Sequence, residues 1–325
     1  MTKLTRRELI AGAAGTVLLQ ACSRQPVAQV VNPNVQKPLV AVVRAAAYTQ
    51  DVYDTVRRIL TDQKLNVKGK RVVLKPNLVE FDRNTAINTH PMLVHAALEG
   101  FRSLGAADVR IAEGPGHRRN TLDLADAAGY YDTIPQFEEL FTDLNLDEVS
   151  KIRLRKPFSK LKEIYLPNTI LGADLIVSMP KMKTHHWVGA TLSMKNFFGI
   201  VPGGVYGWPK NVLHWSGIHQ CIVDLSRVPG RTFAIADGIV GMEGNGPIQG
   251  TPKKSGVIVA GRVLDAVDAT CARVMGIDPN QVAYLNAPDC PHYNDEGTIT
   301  QTGERPATVR TNFQLIKEFS GIRLA

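Results

Sequence analysis

Three neighbouring segments decide the fold of this chain: RVVLKPNL (71–78), THPMLVHAALEGFRSLG (89–105) and DVRIA (108–112). The first and third segments are rich in β-branched residues, which is typical of buried strands. In the middle segment, apolar residues recur at steps of three and four between positions 93 and 104, as they do along one face of a helix. Thr89 is the expected N-cap of that helix. A strand, a helix and a strand joined by such short connections predict a parallel sheet that is covered by helices.

The same alternation continues on both sides of this unit. Residues 130–167 interrupt it and are predicted to form a small inserted subdomain, whereas residues 280–325 are predicted to be a loop-rich C-terminal extension. We therefore predict an α/β domain over residues 39–279, with a mostly parallel sheet flanked by helices in Rossmann-like layers. The other predicted strands are 39–44, 173–179, 232–236 and 256–260, and the other predicted helices are 51–60, 215–225 and 266–275.

The composition of the 325 residues excludes several classes of protein. An apolar fraction of 44% with 21% charged residues is that of a soluble globular chain, not of a collagen-like, disordered or multi-span membrane protein. The net charge of +8 is spread along the chain and favours anionic partners only weakly. Beyond Cys22, only Cys221, Cys271 and Cys290 remain, without C-x-x-C spacing, so we expect no iron–sulfur cluster held by this chain alone. One disulfide among these three thiols is compatible with the sequence.

The N-terminal segment MTKLTRRELIAGAAGTVLLQAC (1–22) resembles a twin-arginine export signal with a lipoprotein processing site. Paired arginines precede an apolar stretch over residues 9–21, and those 13 residues are too few to span a bilayer. The resemblance implies export by the twin-arginine machinery, acylation of Cys22 and a linker over residues 23–38. The protein would then lie in the periplasm or at the outer face of a membrane, attached through its lipid anchor only. A frayed amphipathic helix is the alternative interpretation of this segment.

Polar side chains follow the ends of the predicted strands, where open α/β sheets place their ligands. Lys75 and Asn77 flank a proline at the end of one strand, and a cation beside an amide suits an anionic ligand. His117 and Arg118 follow the next strand in a glycine-containing loop, where an imidazole can act as an acid or base beside a carboxylate clamp. Without a ligand, Lys75 and Asn77 would simply mark the end of the strand. His117 would then be an ordinary solvent-exposed loop residue.

The densest cluster of candidate site residues lies between residues 180 and 214. Lys195 can act as a nucleophile or as a tether for a cofactor, and His214 is a candidate metal ligand. If His185 and His186 are extended, their side chains point to opposite faces, so only one of them is expected to face the site. A basic surface loop followed by an aromatic core helix is the alternative interpretation.

Four more residues are candidates for binding a ligand. Lys183 and Asn196 belong to the dense cluster, and Asp237 and Glu243 lie in the glycine-rich stretch DGIVGMEGNGP (237–247). Two carboxylates among glycines are compatible with a hard-cation site or with a lid that closes on a ligand. A glycine-rich loop with acidic turn residues explains the same pattern without a ligand.

A succession of motifs resembles the family known as domain of unknown function 362 over about residues 39–279. The resemblance implies an α/β fold but no established activity. The chain departs from the family's pattern at GRVLD (261–265), where Val263 and Leu264 replace an expected Asp-Pro. The motifs are KPNLV (75–79), EGPG (113–116), ADLIVSMPKMKTH (173–185), MKNFFGIVPG (194–203), DGIVGMEGNGP (237–247) and AVDATCARVMGIDP (266–279).

A fainter resemblance is to the nickel-pincer lactate racemase family. It implies that His117 and His185 are an acid–base pair, that Lys195 is joined to a nickel-bearing nucleotide, and that His214 is a nickel ligand. The stretch MKNF (194–197) departs from the glycine-rich context that this family has before its lysine.

These observations leave two functional hypotheses. In the first, the chain is a cofactor- or metal-dependent enzyme that acts on a small anionic substrate, by racemase- or isomerase-like or by redox chemistry. In the second, it is a non-catalytic envelope protein that binds an anionic ligand. The sequence does not identify the cofactor, and a metal ion is one candidate. Nucleic-acid binding is not expected for two reasons. The chain resembles an exported protein, and its sequence shows neither a basic helix nor an aromatic platform for bases.

Overall fold

The computed structural model describes residues 36–117, 119–287 and 293–325. The predicted signal, Cys22 and Arg118 lie outside the described residues. Residues 37–325 form one compact unit. None of the described helices combines the length and the apolar character that a membrane span requires.

Across the described residues, ten strands form one mixed sheet, and two more form a separate antiparallel pair. In chain order the strands are β1 (Leu39–Arg44), β2 (Arg71–Pro76), β3 (Asp108–Glu113), β4 (Phe141–Asp143), β5 (Val149–Arg153), β6 (Glu163–Pro167), β7 (Leu175–Met179), β8 (Lys181–His185), β9 (Gly189–Thr191), β10 (Thr232–Glu243), β11 (Thr251–Gly261) and β12 (Thr300–Gly303). The order in the main sheet is β12-β1-β11-β10-β7-β2-β3-β4, with β8 paired to β10 and β9 paired to β8.

Most neighbours in this sheet are parallel, as predicted. The run β10-β7-β2-β3-β4 is parallel throughout, as are the pairs β1–β12 and β10–β8. The pairs β1–β11, β10–β11 and β8–β9 are antiparallel. Because β7, β2 and β3 run in the same direction, their carboxyl ends meet at one edge of the sheet.

Helices cover both faces of the sheet. In chain order they are α1 (Asp51–Asp62), α2 (Pro91–Ser103), α3 (Thr121–Ala127), α4 (Tyr130–Thr133), α5 (Phe137–Leu140), α6 (Asn168–Leu171), α7 (Ser193–Asn196), α8 (Gly203–Tyr206), α9 (Asn211–Trp215), α10 (Ile218–Ser226) and α11 (Leu264–Val274). Short 3-10 turns lie at Phe197–Ile200, Pro279–Gln281, Ala283–Asn286, Glu296–Thr298, Pro306–Val309 and Lys317–Ile322.

The alternation of side chains along β2 produces the layers. Val72 and Leu74 belong to the apolar cluster that contains Phe101 of α2. Val73, between them, belongs to the cluster on the other face, with Ile222 of α10. Complete burial of one such side chain contributes about 1.5–3 kcal/mol. A strand that is apolar on both faces needs helices on both faces, so the predicted Rossmann-like layering is confirmed.

The predicted N-cap of α2 is wrong by one residue. His90 caps the helix, because its Nδ1 accepts a hydrogen bond from the Met92 N–H at 3.2 Å. Thr89 instead donates its hydroxyl to the carbonyl oxygen of Met179, which ties the start of α2 to the end of β7.

Both segments that interrupt the predicted alternation contribute to the main sheet. Within residues 130–167, β4 pairs in parallel with β3, whereas β5 and β6 form the separate hairpin. Within residues 280–325, β12 pairs in parallel with β1. The predicted helix over 215–225 is two helices, because Gly217 adopts a φ of +99° between α9 and α10. Cys221 and Cys271 are buried free thiols.

Candidate functional site

A cavity of about 400 Å³ lies where β2, β3 and β8 end. Loops that are distant in sequence close it, including those that follow β3, β8 and α8. Aromatic side chains of Trp187 and Phe198 form part of its wall. The polar and charged side chains that line it most closely are Lys75, Asn77, Glu113, His117, Lys183, His185, His186, Thr191, Lys195, Asn196, Lys210 and His214.

Most of the predicted site residues therefore meet at one cavity. The three predicted catalytic side chains, His117, His185 and Lys195, all line it. The remaining predicted residues that line it are Lys75, Asn77, Lys183, Asn196 and His214. Their chemical roles stay predictions, but the juxtaposition that those roles require is present.

The two predicted acidic ligands lie elsewhere. Asp237 is completely buried, where it forms an ion pair with Lys181 at 2.6 Å and accepts a hydrogen bond from the Tyr48 hydroxyl at 2.8 Å. Glu243 accepts from the backbone N–H of Gln314 at 2.8 Å and lies 3.2 Å from the Lys253 ammonium. Protein partners thus occupy both carboxylates, and neither faces the cavity.

A buried ion pair forms the floor of the cavity. Lys75 near the end of β2 lies beside Glu113 at the end of β3, with Nζ and Oε2 2.6 Å apart. The Lys75 ammonium also donates to Asn196 Oδ1 at 3.3 Å, and Glu113 accepts from the backbone N–H of Leu78 at 3.1 Å. Burial lowers the pKa of Lys75, and the Glu113 carboxylate opposes that shift. The sequence analysis did not assign a role to Glu113, although its place on the strand beside Lys75 was a usable signal.

The chain passes directly over this ion pair at Gly199. A Cβ atom at this position would overlap with Oε1 of Glu113 and would lie 2.5 Å from Nζ of Lys75. Only glycine lets the 3-10 turn Phe197–Ile200 pack this closely on the two charges.

Three further lysines surround the cavity, and none of them has a carboxylate partner among the residues that the structure describes. Lys183 is completely buried and donates to the carbonyl oxygen of Ile87 at 3.0 Å. Lys210, 3% exposed, donates to the carbonyl oxygen of Gly114 at 2.6 Å. Lys195 is partly exposed, and its Nζ lies 3.6 Å from the centre of the Phe198 ring. With Lys75, four lysines face a single carboxylate among the lining residues, so basic side chains are in excess in the cavity.

Burial and mutual repulsion shift the pKa values of these lysines. Burial, followed by the charges of Lys210 and Lys75, lowers the pKa of Lys195 to about 7. Burial likewise lowers the pKa of Lys210 to about 7, although Glu113 opposes the shift. The pKa of Lys183 falls well below its ordinary value, first through burial and then through Lys195. Lys210 was missed by the sequence analysis, because an isolated lysine after Trp-Pro carries no recognisable pattern.

His185 and His186 both line the cavity, which contradicts the expectation that only one of them does. The expectation assumed an extended pair, whereas β8 ends at His185 and the chain turns at His186. Their ring centres are 5.0 Å apart.

The hydrogen bonds of these two rings assign them opposite tautomers. The backbone N–H of Trp187 donates to Nδ1 of His185 at 3.0 Å, so the proton of the neutral ring lies on Nε2. Burial and then the charge of Lys195 lower the pKa of His185, which keeps its ring neutral. Nδ1 of His186 lies 2.7 Å from the carbonyl oxygen of Gly246 and must donate to it, which leaves Nε2 with a free lone pair. One ring can therefore donate a hydrogen bond while the other accepts a proton.

Three buried polar atoms at the cavity have no partner among the described residues: Nδ1 of His214, Oδ1 of Asn77 and Oγ1 of Thr191. The His214 ring packs edge-on against Trp187, with ring centres 4.9 Å apart. Within the described part of the chain, no three His, Cys, Asp or Glu side chains are grouped closely enough to hold a metal ion. A bare metal ion therefore does not fit these residues, whereas a cofactor that brings its own metal ligands would need only the His214 imidazole.

Several proteins are similar to this chain. A thylakoid-associated protein of Synechocystis sp. is 26% identical over 225 residues, which cover 67% of each chain. The solved lactate racemase apoprotein from Thermoanaerobacterium thermosaccharolyticum is 16% identical with a TM-score of 0.38, and the match covers 61% of this chain and 50% of that one. A solved protein from Thermotoga maritima is 14% identical with a TM-score of 0.36, and the match covers 70% of this chain and 59% of that one. The matched region thus spans only half to three-fifths of these two structures.

The family model described as domain of unknown function (DUF362) matches residues 72–273, which is more than half of the sequence. The motifs that surround the cavity, from KPNLV (75–79) to MKNFFGIVPG (194–203), lie within that match. The chain belongs to the DUF362 family.

Proposed function

We propose that this protein is an enzyme that moves a proton on a small anionic substrate held in the cavity. The observation that carries this proposal is the combination of four lysines and one carboxylate with two imidazoles in opposite tautomers. The excess of basic side chains suits an anion, since a bound anion favours the protonated form of the lysines beside it. The imidazoles supply the acid–base chemistry.

The proposal gives the side chains distinct roles. Lys183 and Lys210 bind the anionic group, because each is buried and has a single acceptor within the described ranges of the chain. His185 donates its Nε2–H to a substrate oxygen where negative charge develops, as a neutral imidazole can. His186 accepts the proton at Nε2, and the exposed His117 at the rim can return a proton from another side. Removal and return of a proton on different sides is a racemase- or isomerase-like reaction.

A cofactor is compatible with this arrangement. Lys195 and His214 are the residues that would hold one, and their placement in one cavity supports the expectation of a nickel-type cofactor without requiring it. Such a group would supply a Lewis acid that polarises the substrate. If Lys195 holds such a cofactor, protein purified from its own host carries a metal and added mass, and Lys195→Ala removes both, whereas an unmodified Lys195 excludes the tether. Elemental analysis and intact mass measure this directly.

Proton exchange in D₂O tests the proposed reaction. Small hydroxy, oxo and amino carboxylates should include at least one that takes up deuterium, as followed by NMR, at the carbon next to its carboxylate or, in a 2-oxo acid, at the carbon next to its carbonyl group. His186→Asn should slow that exchange by about 10²–10⁴-fold, the usual contribution of a general base. His95→Asn is the matched control, since His95 of α2 forms a hydrogen bond with the Tyr53 hydroxyl of α1 and does not line the cavity.

The exchange experiment also separates the alternative function. Tight binding of an anion by the wild-type protein without any exchange, from its own host and with any cofactor retained, would identify a non-catalytic binding protein. Equal exchange rates for His186→Asn and the wild-type protein would contradict the role of His186.

We propose further that the protein is exported and held at a membrane through Cys22. The order of paired arginines, apolar stretch and cysteine supports this, as does the thylakoid association in the name of the Synechocystis relative. Cys22→Ser should release the protein from the membrane fraction of its host and abolish labelling by a radioactive fatty acid. Membrane retention of the unlabelled variant would contradict the proposed anchor.

A further inference from the structure

We propose that the Lys195 amine is a nucleophile that forms an imine with an anionic carbonyl compound, of which the 2-oxo acids are the simplest class. This inference rests on the proposed function, because it names the substrate class of the same cavity. It differs from a cofactor tether in that the amine is free in the resting protein and reacts with the substrate itself.

Contacts single out Lys195 among the four lysines of the cavity. Lys75 is held by Glu113 and Asn196, and Lys183 and Lys210 each donate to a backbone carbonyl oxygen. Those three side chains are 0–3% exposed. Lys195 alone is partly exposed, and no acceptor in the described part of the chain lies within hydrogen-bond distance of its Nζ. It is the one amine that a substrate can reach without breaking a protein contact.

The surroundings of Lys195 also favour the reactive form of the amine. Only a neutral amine has the lone pair that attacks a carbonyl carbon. Burial, followed by the charges of Lys210 and Lys75, disfavours the ammonium form and lowers the pKa of Lys195 to about 7, and no carboxylate in the described part of the chain pairs with its Nζ. A lysine that is desolvated and placed next to other cations is a recurrent arrangement for imine formation.

The remaining cavity residues fit a carbonyl compound that carries a negative charge. Lys183 and Lys210 can bind its carboxylate, and the Nε2–H of His185 can donate to the carbonyl oxygen as negative charge develops there. The Nζ–carbon bond forms first, and the carbonyl oxygen takes a proton to become a hydroxyl. The carbon–oxygen bond then breaks, and the oxygen leaves as water with both hydrogens of the amine. The product is a carbon–nitrogen double bond, which makes the neighbouring carbon–hydrogen bond more acidic.

Reductive trapping tests this inference on the full chain. The protein is incubated with pyruvate and sodium cyanoborohydride, which adds a hydride to the imine carbon and fixes the adduct as a secondary amine. Intact mass should show one adduct for each chain, and peptide mapping should locate it on Lys195. Lys195→Arg should lose the adduct, whereas Lys254→Arg, at an exposed lysine of β11, should keep it.

A second variant covers the case in which Lys195→Arg does not fold. Lys210→Met removes a cation next to Lys195, so the midpoint of the pH dependence of labelling should move to higher pH. A lysine that is labelled only because it is accessible would show no such movement. Lys210→Met leaves the other groups that interact electrostatically with Lys195 in place. These are Lys75, Lys183, His185 and His214.

Three results would overturn the inference. Labelling spread evenly over exposed lysines would show ordinary surface reactivity. A purified protein that already carries added mass on Lys195 would identify a cofactor tether instead. Binding of pyruvate or a larger 2-oxo acid without an adduct would contradict the role of Lys195 as a nucleophile. The proposed function would be unaffected by that result. In contrast, an adduct on Lys195 without any deuterium exchange would contradict the proposed proton transfer. This inference would be unaffected by that result.

Discussion

At the scale of single residues, the buried pair of Lys75 and Glu113 controls the stability of the cavity floor. Glu113→Gln leaves the Lys75 ammonium buried without a carboxylate, which costs about 3–5 kcal/mol when one partner of a buried pair is removed. We expect that loss in the free energy of unfolding measured in urea. Glu163→Gln, which breaks the solvent-exposed pair with Lys151, is the control and should change the free energy of unfolding little. Equal effects of the two substitutions would contradict the burial argument.

The shifted pKa of Lys210 predicts a pH dependence of stability. In the unfolded chain this lysine keeps its proton up to its ordinary pKa, whereas in the folded protein its pKa is about 7. Unfolding above pH 7 therefore takes up a proton, and the contribution of Lys210 makes the folded state more stable as the pH rises. The slope is at most about 1.4 kcal/mol per pH unit.

A comparison of wild type with Lys210→Met isolates this contribution. The free energy of unfolding of the wild type, minus that of the variant, should increase by about 2 kcal/mol between pH 7 and pH 9. Urea unfolding at the two pH values measures it. A difference that stays constant would show that Lys210 keeps its proton in the folded protein.

At the scale of elements, the 3-10 turn Phe197–Ile200 depends on the absence of a side chain at Gly199. Gly199→Ala forces a methyl group onto the buried ion pair, which should cost about 1–3 kcal/mol as other overpacked sites do. The displaced Lys75 should also weaken binding of an anion in the cavity. Gly230→Ala is the matched control, because a Cβ there meets no atom within 4 Å. Calorimetric titration with the exchanging substrate and urea unfolding measure the two effects.

At the scale of the whole molecule, the C-terminal extension is part of the folded domain. It supplies β12 to the sheet, and Phe313 within it is completely buried in the core cluster on one face. Phe313→Ala should therefore reduce the free energy of unfolding by about 3–5 kcal/mol. Leu146→Ala, at a side chain that is 76% exposed, should change it by less than about 0.5 kcal/mol. A small effect at Phe313 would mean that the extension folds separately from the rest of the chain.

Local sequence patterns are sufficient to predict the layers of the fold and the edge of the sheet at which a site is expected. The apolar run of β2 and the spacing of apolar residues by three and four in α2 are local patterns. They can be recognised without knowledge of the rest of the chain. The polar residues that follow β2, β3 and β7 could be assigned to one edge because parallel strands bring their carboxyl ends together.

Which polar groups meet, and in which protonation state, depends on long-range packing. Lys75 pairs with Glu113, and Lys210 reaches the same cavity, through contacts between residues far apart in the chain. Backbone contacts around the cavity likewise set the opposite tautomers of His185 and His186. Asp237 is a further example. Its sequence context predicts a ligand-binding residue, but in the folded protein it forms a buried ion pair with Lys181. Burial and neighbouring charge set the chemistry of an ionisable group, and both are properties of the packed molecule.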